Sequence, residues 1–387
     1  MADNGAPAVA KGSLAGESAA GVAEAFMQSA AASALAGVRL EHGGPFGAAI
    51  VRDGVIVACA HNSVLHSGDP ACHAEMNAIR QACQALGSHD LSDCDLYTTC
   101  EPCPMCWGAT QWSRLGRVHI GVDRHTAAKY GFDDKVFYDE VDNKSGCYGL
   151  RCTGYCSESQ SAATMVEVYD GLLDSDVQER LFANPNVNRT ARRRFAGGDG
   201  EKVKDAYAEV FVREADTCPN PLLRCNTNVN KHETFMHLAI EAAARGARQG
   251  NSKERECFGA VIVRDGKVLA EAYNTVLGSR DATATAEVNA IRAAAERLGS
   301  HNLEGCEMYC TTHPDLMSLG AILWARISRV FCGVTQQVAA RSGFEEGIAH
   351  FKDLLEGRRH TDIVEGVAKE ECEAVFREWS NRNGVIY

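Results

Sequence analysis

The chain has 387 residues, enough for two or three domains rather than one. Hydrophobic residues make up 45% and charged residues 23%, a globular mixture, and no run of eighteen apolar residues is present to span a membrane. A net charge of −12 disfavours nucleic-acid partners, which need basic surface. Met1 to Ser18 is rich in Ala and Gly and lacks the basic start and apolar stretch of a signal peptide, so residues 1–18 read as a flexible tail. Glu24 to Val38 is apolar at helical spacing and predicts a first helix. Two strands follow, Ala48 to Val51 and Val55 to Ala60, joined at Arg52-Asp53-Gly54, where Asp-Gly marks a hairpin turn. Ala74 to Leu86 predicts a helix that stops near Gly87. Leu96 to Thr99 predicts a short buried strand, Pro104 to Arg114 a helix with Pro at its start, and Val118 to Val122 another strand. This order predicts a mixed sheet covered by helices. Residues 184–230 carry Asn-Pro-Asn, Arg-rich and Gly-rich pieces and read as linker, with one short helix from Glu201 to Ala215. Arg192-Arg193-Arg194 reads as a solvated part of that linker rather than a basic binding patch.

The predicted elements then occur a second time. Phe46 to Gly54 returns as Phe258 to Gly266, at an offset of 212. The same offset aligns Leu86-Gly87-Ser88-His89 with Leu298-Gly299-Ser300-His301. From Phe46 to Phe132 no gap is needed, and 44 of 87 positions are identical. The chain is therefore a tandem duplication. The expected boundaries are 19–183 for the first domain and 231–387 for the second.

Two short motifs in the first repeat carry chemistry. His73-Ala74-Glu75 opens one predicted helix, and Pro102-Cys103-Pro104-Met105-Cys106 opens another. H-x-E followed by P-C-x-x-C is the signature of a zinc deaminase site. Cys103 and Cys106 are three residues apart, so their sulfurs share a side of one helical turn. A helix N-terminus is electropositive and favours thiolate. His73 adds a nitrogen. Three protein ligands leave the fourth tetrahedral position to water, whose pKa zinc lowers to about 7. Glu75 is not needed as a ligand and is placed to move protons. The competing reading is a closed structural site with Cys100 as fourth ligand, which has no use for the flanking Glu75. The chain holds 17 cysteines with no secretory signal, which argues for reduced thiols in a cytoplasmic compartment. Cys59, Cys83 and Cys94 read as core residues. Cys147, Cys152 and Cys156 fit no site by their spacing.

These residues resemble the cytidine deaminase-like superfamily, and within it the small guanine deaminases. Gly43-Gly44-Pro45-Phe46-Gly47, Asp69-Pro70 ahead of His73, the Thr99 to Cys106 segment, and Gly131-Phe132-Asp133-Asp134 followed by Phe137-Tyr138 carry the resemblance. It implies two three-layer α/β/α domains and deamination of guanine to xanthine and ammonia. It also implies that Asn62 and Asp134 hydrogen-bond the purine, with Phe46, Ala74 and Trp112 around its ring. Asn62 has a plainer reading as a turn residue, and Asp134 as a helix cap or solvated acid. The chain ends Trp379-Ser380-Asn381-Arg382-Asn383-Gly384-Val385-Ile386-Tyr387. This resembles the tail with which such deaminases cap a partner's site, which points to Tyr387 as a substrate contact. The partner implied is a small purine base. An intrachain pseudo-dimer of the two repeats is expected, with a homodimer as a further state. Other purines or nucleosides, adenosine in tRNA among them, remain alternative substrates. So does a role as regulatory subunit of a heteromeric deaminase.

The second repeat lacks the ligands. The offset of 212 places Thr285 at His73, Asp315 at Cys103 and Ser318 at Cys106, while Glu287 matches Glu75 and Asn274 matches Asn62. Thr, Asp and Ser do not make a zinc site of this type. One zinc per chain is expected, with a folded, non-catalytic second domain.

Overall fold

The computed structural model describes residues 19–122, 124, 127, 151–152, 231–248, 256–335, 339, 362–365 and 374. The tail 1–18, the linker 184–230 with its helix over 201–215, Asp134 and its neighbours, Cys147, Cys156 and the terminal segment through Tyr387 lie outside them. Only the backbone of Cys152 is described.

The first repeat runs α1 (Ala19–Arg39), β1 (Gly47–Arg52), β2 (Val55–His61), α2 (Val64–Ser67), α3 (Ala74–Leu86), β3 (Cys94–Cys100), α4 (Pro104–Trp112), β4 (Arg117–Val122) and β5 (Arg151–Cys152). Its sheet has the order β2-β1-β3-β4-β5. β1 is antiparallel to β2 and β3, and the rest of the sheet is parallel. The hairpin turn is as expected. Asp53 and Gly54 both take positive φ, 50° and 74°, the backbone that Asp-Gly tolerates in a primed turn. One strand period then sorts the two faces. Ala49, Val51 and Tyr97 pack on Phe26, Met27 and Ala30 of α1, while Ala48, Ile50 and Leu96 face the core under α3 and α4. The result is a three-layer α/β/α domain.

The second repeat copies this plan with α5 (Lys231–Arg248), β6 (Gly259–Arg264), β7 (Lys267–Tyr273), α6 (Val276–Ser279), α7 (Ala286–Leu298), β8 (Cys306–Thr312), α8 (Leu316–Ala325), β9 (Arg329–Val334) and β10 (Asp362–Glu365). Its sheet order is β10-β9-β8-β6-β7. Even the irregularity after Ile50 recurs after Ile262.

The two repeats meet through α4 and α8. A Cβ built on Gly108 would lie 2.4 Å from the Met317 backbone nitrogen, and one on Gly320 would lie 2.5 Å from that of Met105. The backbones touch, which glycine alone permits. The buried residues of the α3–α4 and α7–α8 layers form one continuous core. At its edge Arg80 Nε donates to Thr283 Oγ1 at 3.0 Å, and Arg292 reaches Asp69 at 3.8 Å.

Candidate active site

α3 and α4 begin with their N-termini close together. His73 is the N-cap of α3 and Cys103 the N-cap of α4, both in extended backbone, φ −68° and −66°. The His73 side chain makes no capping bond to its helix. Both it and Cys103 point at Cys106, one turn into α4. His73 Nδ1, Cys103 Sγ and Cys106 Sγ form a triangle with edges of 3.6, 3.7 and 3.7 Å. Tetrahedral zinc, with bonds of about 2.3 Å to sulfur and about 2.0 Å to nitrogen, sets edges of about 3.8 Å between sulfurs and about 3.6 Å from nitrogen to sulfur. The donor set therefore fits zinc in both chemistry and spacing. It is the one such cluster among the described residues. Cys100 is buried but does not join it, which argues against the closed site.

Glu75 is the second residue of α3 and is 6% exposed. Its Oε1 accepts from Thr98 Oγ1 at 3.0 Å, and its Oε2 lies 3.4 Å from Cys106 Sγ. Burial, reinforced by the Cys103 sulfur, pushes its carboxyl above the ordinary range. Burial would also raise the Cys103 thiol. Donation from Cys106 and the nearby His73 outweigh it, so Cys103 is held well below an ordinary thiol. By contrast Cys83, in the hydrophobic core, is pushed up to about 11, chiefly by burial and further by Asp281. The eleven cysteines whose side chains are described are free thiols.

Asn62 follows β2. Its backbone N–H donates to Phe46 O at 3.0 Å, and its Oδ1 accepts from Val64 N at 3.3 Å. The turn role is thus present. Among the described residues no partner is found for its Nδ2. Gly43 is required beside it, since a Cβ there would lie 2.1 Å from Asn62 Oδ1. Phe46 is half-buried against the core, and Ala74 is fully buried at the start of α3.

Trp112, expected beside the purine ring, lies against the other repeat. The structure places it at the second repeat's pocket, with Phe258, Asn274, Glu287 and Asp315. The indole that packs on the zinc cluster is that of Trp324 in α8, edge-on to the His73 ring with centroids 4.9 Å apart. Each repeat thus sends the last tryptophan of one helix across to the other repeat's pocket. Sequence reasoning also missed Thr98. The offset of 212 was the available signal, because the matching residue is Cys310 and the hydrogen bond to the acid is lost with the ligands.

In the second repeat the replaced ligands bond to each other. Thr285 Oγ1 and Ser318 Oγ are 3.0 Å apart, and Ser318 Oγ lies 3.0 Å from Asp315 Oδ2 and 3.3 Å from Glu287 Oε2. Asn274 is fixed from two sides: its Oδ1 accepts from Ala286 N at 3.0 Å, and its Nδ2 donates to Glu256 Oε1 at 2.9 Å. The offset puts Gly44 at the position of Glu256, so this brace has no equivalent in the first repeat.

The family model of the cytidine and deoxycytidylate deaminase zinc-binding region matches residues 21–122 and 229–334. A guanine deaminase of Bacillus subtilis is 50% identical over 119 residues, 31% of this chain and 76% of that protein. A tRNA-specific adenosine deaminase of Agrobacterium fabrum is 33% identical over 145 residues, 38% of this chain and 91% of that protein. A solved structure of guanine deaminase from Bacillus subtilis is 38% identical and covers 46% of this chain and 96% of its own, with a TM-score of 0.30. With a family match in each repeat and a donor triangle of zinc dimensions in the first, the chain belongs to the cytidine and deoxycytidylate deaminase zinc-binding family and is a zinc-binding hydrolytic deaminase.

Proposed function

We propose that the first repeat hydrolyses guanine to xanthine and ammonia, and that the second repeat supports it without catalysing. The observation that carries this is the cluster of His73, Cys103 and Cys106 with the buried Glu75 against it, present in one repeat and dismantled in the other. The choice of guanine rests on the identity to a protein named guanine deaminase over most of that protein's length, and on an acidic chain that suits a small base better than RNA. The rival substrate, adenosine in tRNA, is carried by the relatives named tRNA-specific adenosine deaminases.

Zinc, when bound, supplies the positive charge that makes a water acidic near neutral pH. The chain's own residues do the rest. Glu75, oriented by Thr98 at Oε1, takes the water proton at Oε2 and delivers protons to the purine ring and the departing amine. Its raised affinity for a proton suits a group that must hold one and release it in a single cycle. Asn62 offers its amide N–H to the base, and Phe46 packs on the ring. Trp324 takes the wall position expected of Trp112 and fixes the His73 ring from across the repeat boundary. Asp134 would read the guanine N1–H and amino edge, since a carboxylate accepts from donors, and Tyr387 would close the pocket.

The domains are assigned to 19–183 and 231–387, joined by 184–230. The α4–α8 contact makes the chain a built-in dimer of deaminase folds, able to act alone or to pair with a second copy. A cytoplasmic location fits a chain of 17 cysteines in which the eleven with described side chains form no disulfide. Ammonia release is measured with the purified chain on guanine, guanosine, cytosine and adenosine. Release from guanine alone is expected. Release from adenosine or guanosine alone would replace the substrate, and silence on all four would favour a subunit role.

A further inference from the structure

The residues just ahead of His73 are held by an arginine that also reaches into the second repeat. Arg80, on α3, donates through Nη2 to Ala71 O at 3.1 Å, and through Nη1 to Asn77 Oδ1 at 3.2 Å and Cys72 Sγ at 3.5 Å. Asn77 in turn donates through Nδ2 to Cys72 O at 3.3 Å, and its backbone N–H donates to His73 O at 2.9 Å. Arg80 thus braces the backbone that aims His73, whose side chain makes no capping bond of its own. The remaining donor, Nε, leaves the repeat and bonds Thr283 Oγ1 at 3.0 Å.

Thr283 is fully buried and its hydroxyl is used to capacity. It donates to Asp281 Oδ1 at 2.7 Å and accepts from Arg80 Nε and from Arg292 Nη2, the latter at 2.7 Å. One proton and two lone pairs are all that a hydroxyl has. The support is not returned. The offset of 212 pairs Arg80 with Arg292 and Thr283 with Ala71, which has no hydroxyl. Arg292 Nε is buried without a hydrogen-bond partner among the described residues and meets Asp69 only at 3.8 Å. Arg292 Nη2 holds the carbonyl of its own loop, Thr283 O, at 3.5 Å, against 3.1 Å between Arg80 and Ala71 O. The second repeat supplies the hydroxyl, the first receives it, and the better-held loop is the one that carries a zinc ligand.

We propose that Thr283 of the second repeat is a positioning residue for the zinc ligand His73, acting through Arg80. This deepens the reading that the second repeat supports the first without catalysing. A ligand atom must sit within about 0.2 Å of its bonding distance, and a displacement at Ala71 and Cys72 passes along the backbone to His73. Groups that stand behind a metal ligand change metal affinity or activity by about 10- to 100-fold when removed. Thr283 acts through an intermediary, which places it at the lower end.

The test follows zinc release from the full, zinc-loaded chain to a metal-sensitive chelating dye, beside steady-state ammonia release from guanine. Thr283→Val keeps the branched shape and deletes the hydroxyl. It should release zinc about 10-fold faster and lower kcat about 10-fold, with KM within about two-fold of the parent. Thr283→Ser keeps the hydroxyl and should restore both to the parent's values. Arg80→Lys keeps the charge but cannot reach Ala71 and Thr283 at once. It should match Thr283→Val, and it decides the question if that chain does not fold. A bond that serves stability alone would lower the unfolding midpoint and leave zinc release from the folded chain unchanged, which overturns the proposal. A Thr283→Ser chain that loses zinc as fast as Thr283→Val overturns it too. If the parent releases no ammonia from guanine, the guanine reading falls, and the zinc-release comparison still decides the role of Thr283.

Discussion

The two repeats use the same backbone for opposite ends. His73 and Thr285 are both N-caps with nearly identical dihedrals, φ −68° and −67°, and Cys103 and Asp315 are likewise paired at φ −66° and −72°. In the second repeat Thr285 accepts from Val288 N and Asp315 accepts from Ser318 N, so both helices are capped by side chains. In the first repeat His73 makes no capping bond, and Cys103 meets its helix only through Cys106. An N-cap of Ser, Thr, Asp or Asn is worth about 1 kcal/mol over a residue that cannot cap. The first repeat therefore lacks the two oxygen caps of the second and aims a nitrogen and a sulfur at one point instead. Residues that replace lost ligands at helix N-termini are the ones the local backbone favours.

The sharpest way to break this contrast is to remove the matching acids. Glu75→Gln should lower turnover on the substrate by about 10²–10⁴-fold while zinc stays bound, whereas Glu287→Gln should leave turnover within a few-fold of the parent. Steady-state rates with metal analysis decide it, and equal losses would show that the second repeat also catalyses. Removing residues 384–387 should likewise abolish turnover with zinc retained. Unchanged activity there would mean that Tyr387 does not reach the site.

The metal count comes next. Atomic absorption should find one zinc per chain, falling to none in His73→Ala. The combined change Thr285→His, Asp315→Cys and Ser318→Cys should raise it to two, since the cap geometry is already that of the first repeat. A count that stays at one would place the cause of metal loss beyond those three residues. Gly108→Ala forces a methyl into the Met317 backbone and should destabilise the chain by about 1–3 kcal/mol, read as a lower midpoint of denaturant unfolding.

The smallest expected effect is a pH dependence. Glu287 holds its proton up to about 8 when folded and releases it near 4.5 when unfolded. Between those values the folded chain binds more protons, so stability falls as pH rises through that window. Glu287→Gln removes this slope. The variant should match the parent near pH 4.5 and melt a few degrees higher at pH 8.5. Parallel melting curves across the window would mean that Glu287 is not protonated in the folded chain.

Much of this was legible in the sequence, residue by residue. The helix from Ala74 to Leu86 has the predicted bounds, ended by Gly87 in the left-handed conformation. The strands are each extended by one to three residues, as pairing with neighbours draws the flanking residues in. The one-turn helix Val64–Ser67 and the two-residue strand Arg151–Cys152 were not legible, because neither is long enough to show a period. In the site, His73, Cys103 and Cys106 were found by motif, and the triangle they form follows from two N-caps set close together.

What the sequence by itself determined is local or repeated: hydrophobic period, turn chemistry, the ligand spacing, the duplication and the loss of all three ligands in its second copy. What only the tertiary structure decided is which residues from distant positions meet. Thr98 reaches Glu75 across the gap between a strand and a helix. Trp324 stands at His73, while Trp112, of the same type and register, stands in the other pocket. The two tryptophans are indistinguishable along the chain. They exchange places because Gly108 and Gly320 let α4 and α8 touch, which brings the end of each helix to the opposite repeat, and no periodicity within a single repeat encodes a contact made between two.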